Sequence, residues 1–204
     1  YGVNIVNIEK PEDVIETDGL LASIEQVNGV ELGSTKLIIY LESATGIVNA
    51  YQNCLASNRI VAAAFGAEDF TVDMGTERTD EGSEVFLPRA MVAIAARAAN
   101  VLPLDVVYAN FRDDDGLKKD IEVGKTLGYK GKFAIHPSQV ESINEILSPN
   151  AEQILYARRV IEAFEEAESK GMGATSLDGK MIDNPVVKRA QNVLDMVAEI
   201  GRES

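Results

Sequence analysis

Several things are scarce in this sequence, and each shortage narrows what the chain can be. Cysteine occurs once, at Cys54. That rules out an internal disulfide framework and suits a reducing, cytoplasmic setting. Cys54 falls in the apolar pattern of a predicted helix and reads as a packing residue. No apolar run reaches the roughly 18 residues a membrane span needs, so none is expected. Positive charge is in short supply: 19 Lys and Arg stand against 33 Asp and Glu, a net charge of −14. A basic face for nucleic acid is therefore not expected, and an anionic substrate needs local help from a metal or a few placed cations. The first residues, Tyr1-Gly2-Val3-Asn4, are neither basic nor followed by an apolar signal core.

With 204 residues, 46% of them hydrophobic and 25% charged, the chain is long enough for one domain with a substantial core. Short runs rich in Val, Ile and Ala alternate with longer amphipathic stretches. Val3–Ile8, Leu37–Leu41, Ile60–Phe65, Asp105–Ala109 and Lys132–Ile135 read as strands. Helical spacing follows in Pro11–Gln26, Gly46–Leu55, Met91–Asn100 with Pro88 as a first-turn residue, and Asp115–Leu127. Repeated strand-then-helix units imply parallel strands with helical crossovers, and apolar strands without alternation imply burial on both faces. Two architectures satisfy this, an open doubly wound sheet or a closed (β/α)₈ barrel. Neither G-x-G-x-x-G nor G-x-x-x-x-G-K-[ST] follows a strand, so a nucleotide-binding open sheet has no positive sign. The tail differs: Asn150–Lys170 and Pro185–Ile200 read as helices around a Gly-rich, loop-like Gly171–Gly179.

Acids sit at the C-terminal ends of two predicted strands, Glu42 after Leu41 and Asp69 shortly after Phe65. In parallel α/β proteins these strand ends form the active-site face. Two carboxylates there can converge on one hard cation, and Mg²⁺ accepts one or two carboxylates with water and substrate oxygens completing its octahedron. The plainer reading of either acid is a helix cap or a satisfied loop group.

Four segments, in order, carry a resemblance. Leu41-Glu42-Ser43-Ala44-Thr45-Gly46 with Asn49 fits I-E-[ST]-A-x-G-x-x-N, and Gly66-Ala67-Glu68-Asp69-Phe70 fits G-x-[ED]-D-[FL]. Gly128-Tyr129-Lys130-Gly131-Lys132-Phe133-Ala134-Ile135-His136-Pro137-Ser138-Gln139 fits G-[FY]-x-G-K-x-x-I-H-P-x-Q. Asp178-Gly179-Lys180-Met181-Ile182-Asp183 is similar to D-G-x-M-[IV]-D. On these motifs the chain resembles the citrate lyase beta subunit/malyl-CoA lyase family of the HpcH/HpaI aldolase superfamily.

The resemblance implies a (β/α)₈ TIM barrel of which this chain holds about the last five βα units, plus a C-terminal helical extension. Residues 1–148 are then the C-terminal part of the barrel and 149–204 a tail or lid that contacts a neighbouring subunit. It implies a Mg²⁺-dependent carbon–carbon lyase acting on a 3-hydroxyacyl thioester: citryl-CoA or citryl-acyl-carrier protein first, giving acetyl thioester and oxaloacetate. Malyl-, methylmalyl- and citramalyl-CoA are the near alternatives; a CoA-independent Mg²⁺ aldolase or a non-catalytic partner subunit lies further off. The family's metal pair, a Glu and an Asp about 27 positions apart, falls on Glu42 and Asp69, with Glu42 also close to substrate. The amides around Ala67 and Glu68 would bind the oxo-acid carboxylate. The catalytic acid of the tail falls on Asp183 ahead of Asp178, reaching an adjacent subunit in a homotrimer or hexamer. Asp183 can also be read as a cap of the helix that follows, worth about 1 kcal/mol. The family's substrate-binding Arg has no counterpart here and is expected upstream, in units preceding Tyr1. Val6-Asn7-Ile8-Glu9 also departs from the family's P-K-[IV]-E strand end. His136, the sole histidine, reads as structural or as lining the thioester channel. Arg78 and Arg89 are candidates for CoA phosphates, against the plainer reading of solvated surface arginines.

Overall fold

The computed structural model describes residues 2–79 and 81–203. The chain divides into two compact units, Tyr1–Ile143 and Asn144–Ser204. The first holds five parallel strands, β1 (Gly2–Ile5), β2 (Lys36–Leu41), β3 (Ile60–Phe65), β4 (Leu102–Asp105) and β5 (Gly131–Lys132), hydrogen-bonded in sequential order. A doubly wound sheet reverses its strand order at a switch point. Sequential, all-parallel order is that of a barrel wall, which decides between the two architectures left open by the sequence.

Helices fill the crossovers: α1 (Pro11–Asn28), the short pair α2 (Ala44–Val48) and α3 (Ala50–Cys54), α4 (Ala67–Met74), α5 (Ser83–Ala98), α6 (Asp114–Leu127) and α7 (Gln139–Leu147). Pro11 opens α1, and Asp13 accepts the Glu9 and Lys10 amides at 3.0 Å each, satisfying donors a helix start leaves bare. Gly29 closes α1 with φ 65°, a left-handed conformation that glycine adopts without strain. Leu37, Ile39 and Leu41 of β2 are fully buried and join Val85, Val92 and Ala96 of α5 and Cys54 of α3 in one core. Burial pushes the Cys54 thiol up to about 12, so at neutral pH it stays protonated and inert.

Several expectations are corrected. Burial on both faces holds for β3 from Ala62 onward, but β2 alternates and β1, at the sheet edge, is largely exposed. Pro88 lies inside α5, not at its start, with its ring buried among Val85, Arg89 and Val92. Strand β4 ends at Asp105, where Asp105–Ala109 was expected to begin; Pro103 pairs with Ala63 inside the ladder. The polar stretch after β3 contains α4, ended by Gly75 at φ 67°.

A second network ties α1 to the entry of β3. Arg59 donates to both oxygens of buried Glu25 at 2.7 Å, while Glu25 also accepts the amides of Gly33 and Thr35.

In the second unit, α8 (Ala151–Ser169) and α9 (Asn184–Glu203) pack together around Ala157, Val160, Phe164 and Ala190. Asn150 caps α8, accepting from the Gln153 amide at 2.8 Å. Between the helices lies an antiparallel hairpin, β6 (Thr175–Leu177) and β7 (Lys180–Ile182), where only a Gly-rich loop was expected. Its two turn residues, Asp178 and Gly179, have φ 49° and 75°. Positive φ at both central residues defines the tight turn that Asp-Gly favours. No helix among the described residues is long and apolar enough to cross a membrane.

Candidate active site

The register between β2 and β3 builds the site. Leu41 is paired with Phe65, so the next residues, Glu42 and Gly66, emerge side by side at the strand C-termini, and the Gly66 amide donates to the Leu41 carbonyl at 3.1 Å. Gly66 then opens α4, whose third residue is Asp69. Phe70 fixes that helix by packing edge-on against Phe65, ring centroids 5.8 Å apart. Asp73, a turn further on, accepts the Ala44 amide at 2.7 Å and so links α4 to the start of α2.

Glu42 is buried, 7% exposed, with Oε1 accepting the Asn7 amide at 2.8 Å. Its carboxyl is raised above the usual range: burial disfavours the charged form, the Asn7 amide opposes the rise, and the charge and hydrogen bond of Asp69 add to it. The two acids chosen from the sequence therefore lie near enough for the charge of Asp69 to be felt at Glu42. A Cβ on Gly66 would sit 2.6 Å from the Glu42 Cβ and 2.7 Å from Oε2, so only glycine lets Glu42 lie across the turn. Gly66→Ala is expected to displace the Glu42 carboxylate and weaken divalent-cation binding at least about tenfold, as loss of a ligand-orienting contact does. Isothermal titration with Mn²⁺ measures it, and unchanged affinity would refute the placement.

The pair suits a hard divalent cation. It supplies oxygen donors only, and two neighbouring carboxylates repel when both are ionised, a repulsion that a cation removes. Among the described residues no group of three or more His, Cys, Asp or Glu is arranged around a metal position.

Ala67 and Glu68 occupy the first two positions of α4, where backbone N–H groups have no partner inside the helix. An anionic group can be received there. The Glu68 side chain turns elsewhere, to Arg78 at 3.3 Å, and Arg78 also binds Glu84. Arg89 is neither a solvated surface group nor a phosphate ligand. It is 4% exposed and bound to Asp105 and Asp120, with Lys132 on the same two acids. His136 is exposed, with Nδ1 2.8 Å from the Ser138 hydroxyl and its ring stacked on Phe111 at 4.8 Å. Buried Gln139 ties the loops after β4 and β5 together: it donates to the Tyr108 carbonyl at 2.8 Å and accepts the Ile135 amide at 2.9 Å.

Glu42, Ala67, Glu68 and Asp69 thus share one face of the first unit, whereas Asp178 and Asp183 belong to the second. Asp178 is paired with Arg159 at 2.8 Å. Asp183 stands at the start of α9 and accepts the Val186 amide through Oδ1 at a long 3.3 Å, a weak form of the cap. Two contributors escaped sequence reasoning. Asp73 carries no pattern that marks a contact to Ala44. Asn7 stands where the chain departs from the expected strand end, and that departure was the one available signal.

The chain matches the family model described as HpcH/HpaI aldolase/citrate lyase over residues 1–137. It is 41% identical over 197 residues to the citrate lyase subunit beta of Haemophilus influenzae, covering 95% of this chain and 68% of that protein. It is 33% identical over 172 residues to the mitochondrial citramalyl-CoA lyase of Homo sapiens, covering 80% of this chain and 51% of that protein. The crystal structure of CitE from Mycobacterium tuberculosis in complex with magnesium, acetoacetate and coenzyme A matches with a TM-score of 0.78 and 27% identity, covering 97% of this chain and 68% of that one. The chain spans about two thirds of the length of its bacterial citrate lyase relatives. Parallel βα units in sequential order, the paired acids at the strand ends and this breadth of similarity lead to one conclusion: the chain belongs to the HpcH/HpaI aldolase/citrate lyase family.

Proposed function

We propose that the protein is a Mg²⁺-dependent carbon–carbon lyase that cleaves a 3-hydroxyacyl thioester, citryl-CoA or citryl-acyl-carrier protein, to acetyl thioester and oxaloacetate. The observation that carries this reading is the placement of Glu42, directly after β2 and against Gly66, beside the first turn of α4 that carries Asp69. Citrate lyase relatives and a CitE structure holding magnesium and coenzyme A support the choice of ion and substrate class.

In this reading Glu42 and Asp69 hold Mg²⁺, which when bound supplies Lewis-acid polarisation of substrate oxygens and neutralises their charge. The amides of Ala67 and Glu68 receive the carboxylate of the oxo-acid half at the start of α4. Cleavage turns the substrate hydroxyl into the carbonyl of the oxo acid, its proton leaving to solvent, and puts the electron pair of the broken bond on the thioester enolate. Asp183 holds the proton that this carbon takes up, or removes it in the condensing direction. A carboxylic acid that donates at neutral pH needs a water-poor setting, which closure of the tail over the site provides.

The acid would come from the tail of an adjacent subunit in a homotrimer or hexamer. An outward stripe on α5 supports a homo-oligomer: Leu87, Met91 and Ile94 are 67%, 37% and 68% exposed at helical spacing, an apolar face suited to a second copy. Residues 149–204 act as this lid, and residues 1–148 as the barrel part. The protein works in the cytoplasm, in keeping with its lone thiol, and the net charge of −14 suits neither nucleic acid nor an anionic surface.

Citramalyl-CoA cleavage is the second reading, favoured by the 33% identity to the human mitochondrial enzyme over 80% of this chain. Full-length protein incubated with citryl-, malyl- and citramalyl-CoA, with and without Mg²⁺, tests both. The expected result is oxaloacetate from the citryl thioester only when Mg²⁺ is present. Turnover that survives exhaustive chelation sinks the proposal, and preference for the citramalyl thioester selects the second reading.

A further inference from the structure

Three groups of the Glu42–Asn49 segment converge on the turn that follows β1. Glu42 Oε1 accepts the Asn7 N–H at 2.8 Å, and Asn49 Nδ2 donates to the Glu9 carbonyl at 2.9 Å. Gly46 lies where any Cβ would overlap the Ile8 carbonyl. The Ile8 amide reaches the Tyr40 carbonyl at 3.4 Å, and its side chain is buried. Residues 7–9 are therefore gripped along their whole length by the end of β2 and by α2.

Inside that grip Asn7 has φ 55°. The left-handed region strains most side chains, glycine least, with asparagine among the few others that enter it readily. The angle sets how the peptide plane carrying the Asn7 N–H lies against the rest of the pinned turn. With Oε1 engaged by that N–H, Oε2 is the oxygen left against Gly66, at the opening of the turn that carries Asp69. An orienting partner of this kind typically governs a ligand's affinity by about 10- to 100-fold.

We propose that Asn7 is a positioning residue for the cation site: its left-handed backbone aims an amide that holds Glu42 by one oxygen and leaves the other against Gly66, at the turn that carries Asp69. The inference rests on the reading of Glu42 and Asp69 as a metal pair. It assigns to the N-terminal turn a task performed by backbone conformation, not by a side-chain ligand.

The test compares Mn²⁺ affinity, followed by electron paramagnetic resonance, in full-length wild type, Asn7→Gly, Asn7→Val and Glu42→Gln, alongside the melting midpoint of each metal-free protein. Asn7→Val, which disfavours the left-handed region, is expected to bind Mn²⁺ about 10- to 100-fold more weakly. Asn7→Gly, which enters that region freely, is expected to stay within about threefold of wild type. A role confined to the turn would lower the Asn7→Val midpoint and leave the affinity of the folded protein unchanged, which overturns the proposal. If Glu42→Gln loses Mn²⁺ while Asn7→Val keeps it, the metal pair stands and the role of Asn7 falls. If Glu42→Gln itself binds as wild type, the metal reading falls and takes this inference with it. Should Asn7→Val not fold, Asn7→Ala replaces it, with a smaller but measurable loss that Asn7→Gly must not show.

Discussion

Glu42→Gln and Asp69→Asn are each expected to remove Mg²⁺-dependent turnover, lowering kcat/KM by about three orders of magnitude or more, on the order of 4 kcal/mol of transition-state stabilisation. The amide replacements keep shape and remove charge, so packing around Phe65 and Phe70 is preserved. Without a cation the native pair is a strained arrangement, because Glu42 is buried against a second acid. Removing either charge relieves that repulsion, so the variants should melt at or above the wild-type temperature while losing activity. Such an inverse relation is common where a site stores like charges. Asp183→Asn should behave differently: Mn²⁺ affinity is retained and turnover falls about 10²- to 10⁴-fold, the usual contribution of a proton donor. Asp178→Asn should stay active, since Asp178 is engaged by Arg159 beside the hairpin turn. Coupled assay and metal titration on the same preparations separate these cases. Normal turnover by either metal-pair variant ends the assignment, and a dead Asp178→Asn beside a live Asp183→Asn moves the catalytic acid to Asp178.

Arg89→Met is expected to destabilise the protein by about 3–5 kcal/mol, the loss typical when one partner of a buried ion network is deleted. Arg89 bridges α5 to the end of β4 through Asp105 at 2.7 Å and to α6 through Asp120 at 2.8 Å. Lys132, from β5, closes the group on the same two acids, and the Tyr129 hydroxyl donates to the Arg89 carbonyl at 2.8 Å. Deleting Arg89 leaves buried Asp105 and half-buried Asp120 facing a single ammonium. Burial alone would raise Asp120, but the charges of Lys132 and Arg89 outweigh it and hold the acid below its ordinary range. A carboxylate depressed in the folded state adds stability above its unfolded pKa, and that stability is lost as pH falls through the folded value. The gap between wild type and Asp120→Asn should therefore narrow on acidification below the ordinary carboxylate range. Urea unfolding measures both effects. The double replacement Arg89→Met, Asp105→Leu should recover much of the loss, because an apolar substitute for a complete pair is often neutral. A single-variant loss below about 1 kcal/mol, the scale of a surface pair, would show that the network contributes little.

What could be seen in the sequence, and what could not, follows a physical division. Strands β2 and β3 were legible because their apolar runs are dense and bounded by polar residues, and α1 because Pro11 marks its start. Strand β4 was misplaced because Pro103 argues against a ladder position that tertiary pairing with Ala63 nevertheless imposes. Helix α4 was missed because its buried face is only Ala67, Phe70 and Thr71, too few for a period to emerge. At the site, the residue types and spacing of Glu42 and Asp69 could be read directly. Their nearness could not, since it depends on the pairing of Leu41 with Phe65. Arg89 looked like a surface residue because its main partner, Asp105, lies 16 positions away and meets it only through packing of α5 on β4. Asn7 was marked in the sequence only by the departure from the expected strand end; its contact to Glu42 depends on the folded turn and a backbone angle, which that departure does not encode.

Cys54 closes α3 at 2% exposure, with its thiol held protonated by burial. The surface around it is therefore silent toward thiol reagents, and a cysteine introduced elsewhere becomes a clean reporter. Ser176, exposed on the β6–β7 hairpin, is a near-isosteric place for one. A probe attached at Ser176→Cys would report on the surroundings of the hairpin, with and without substrate, with no background from Cys54.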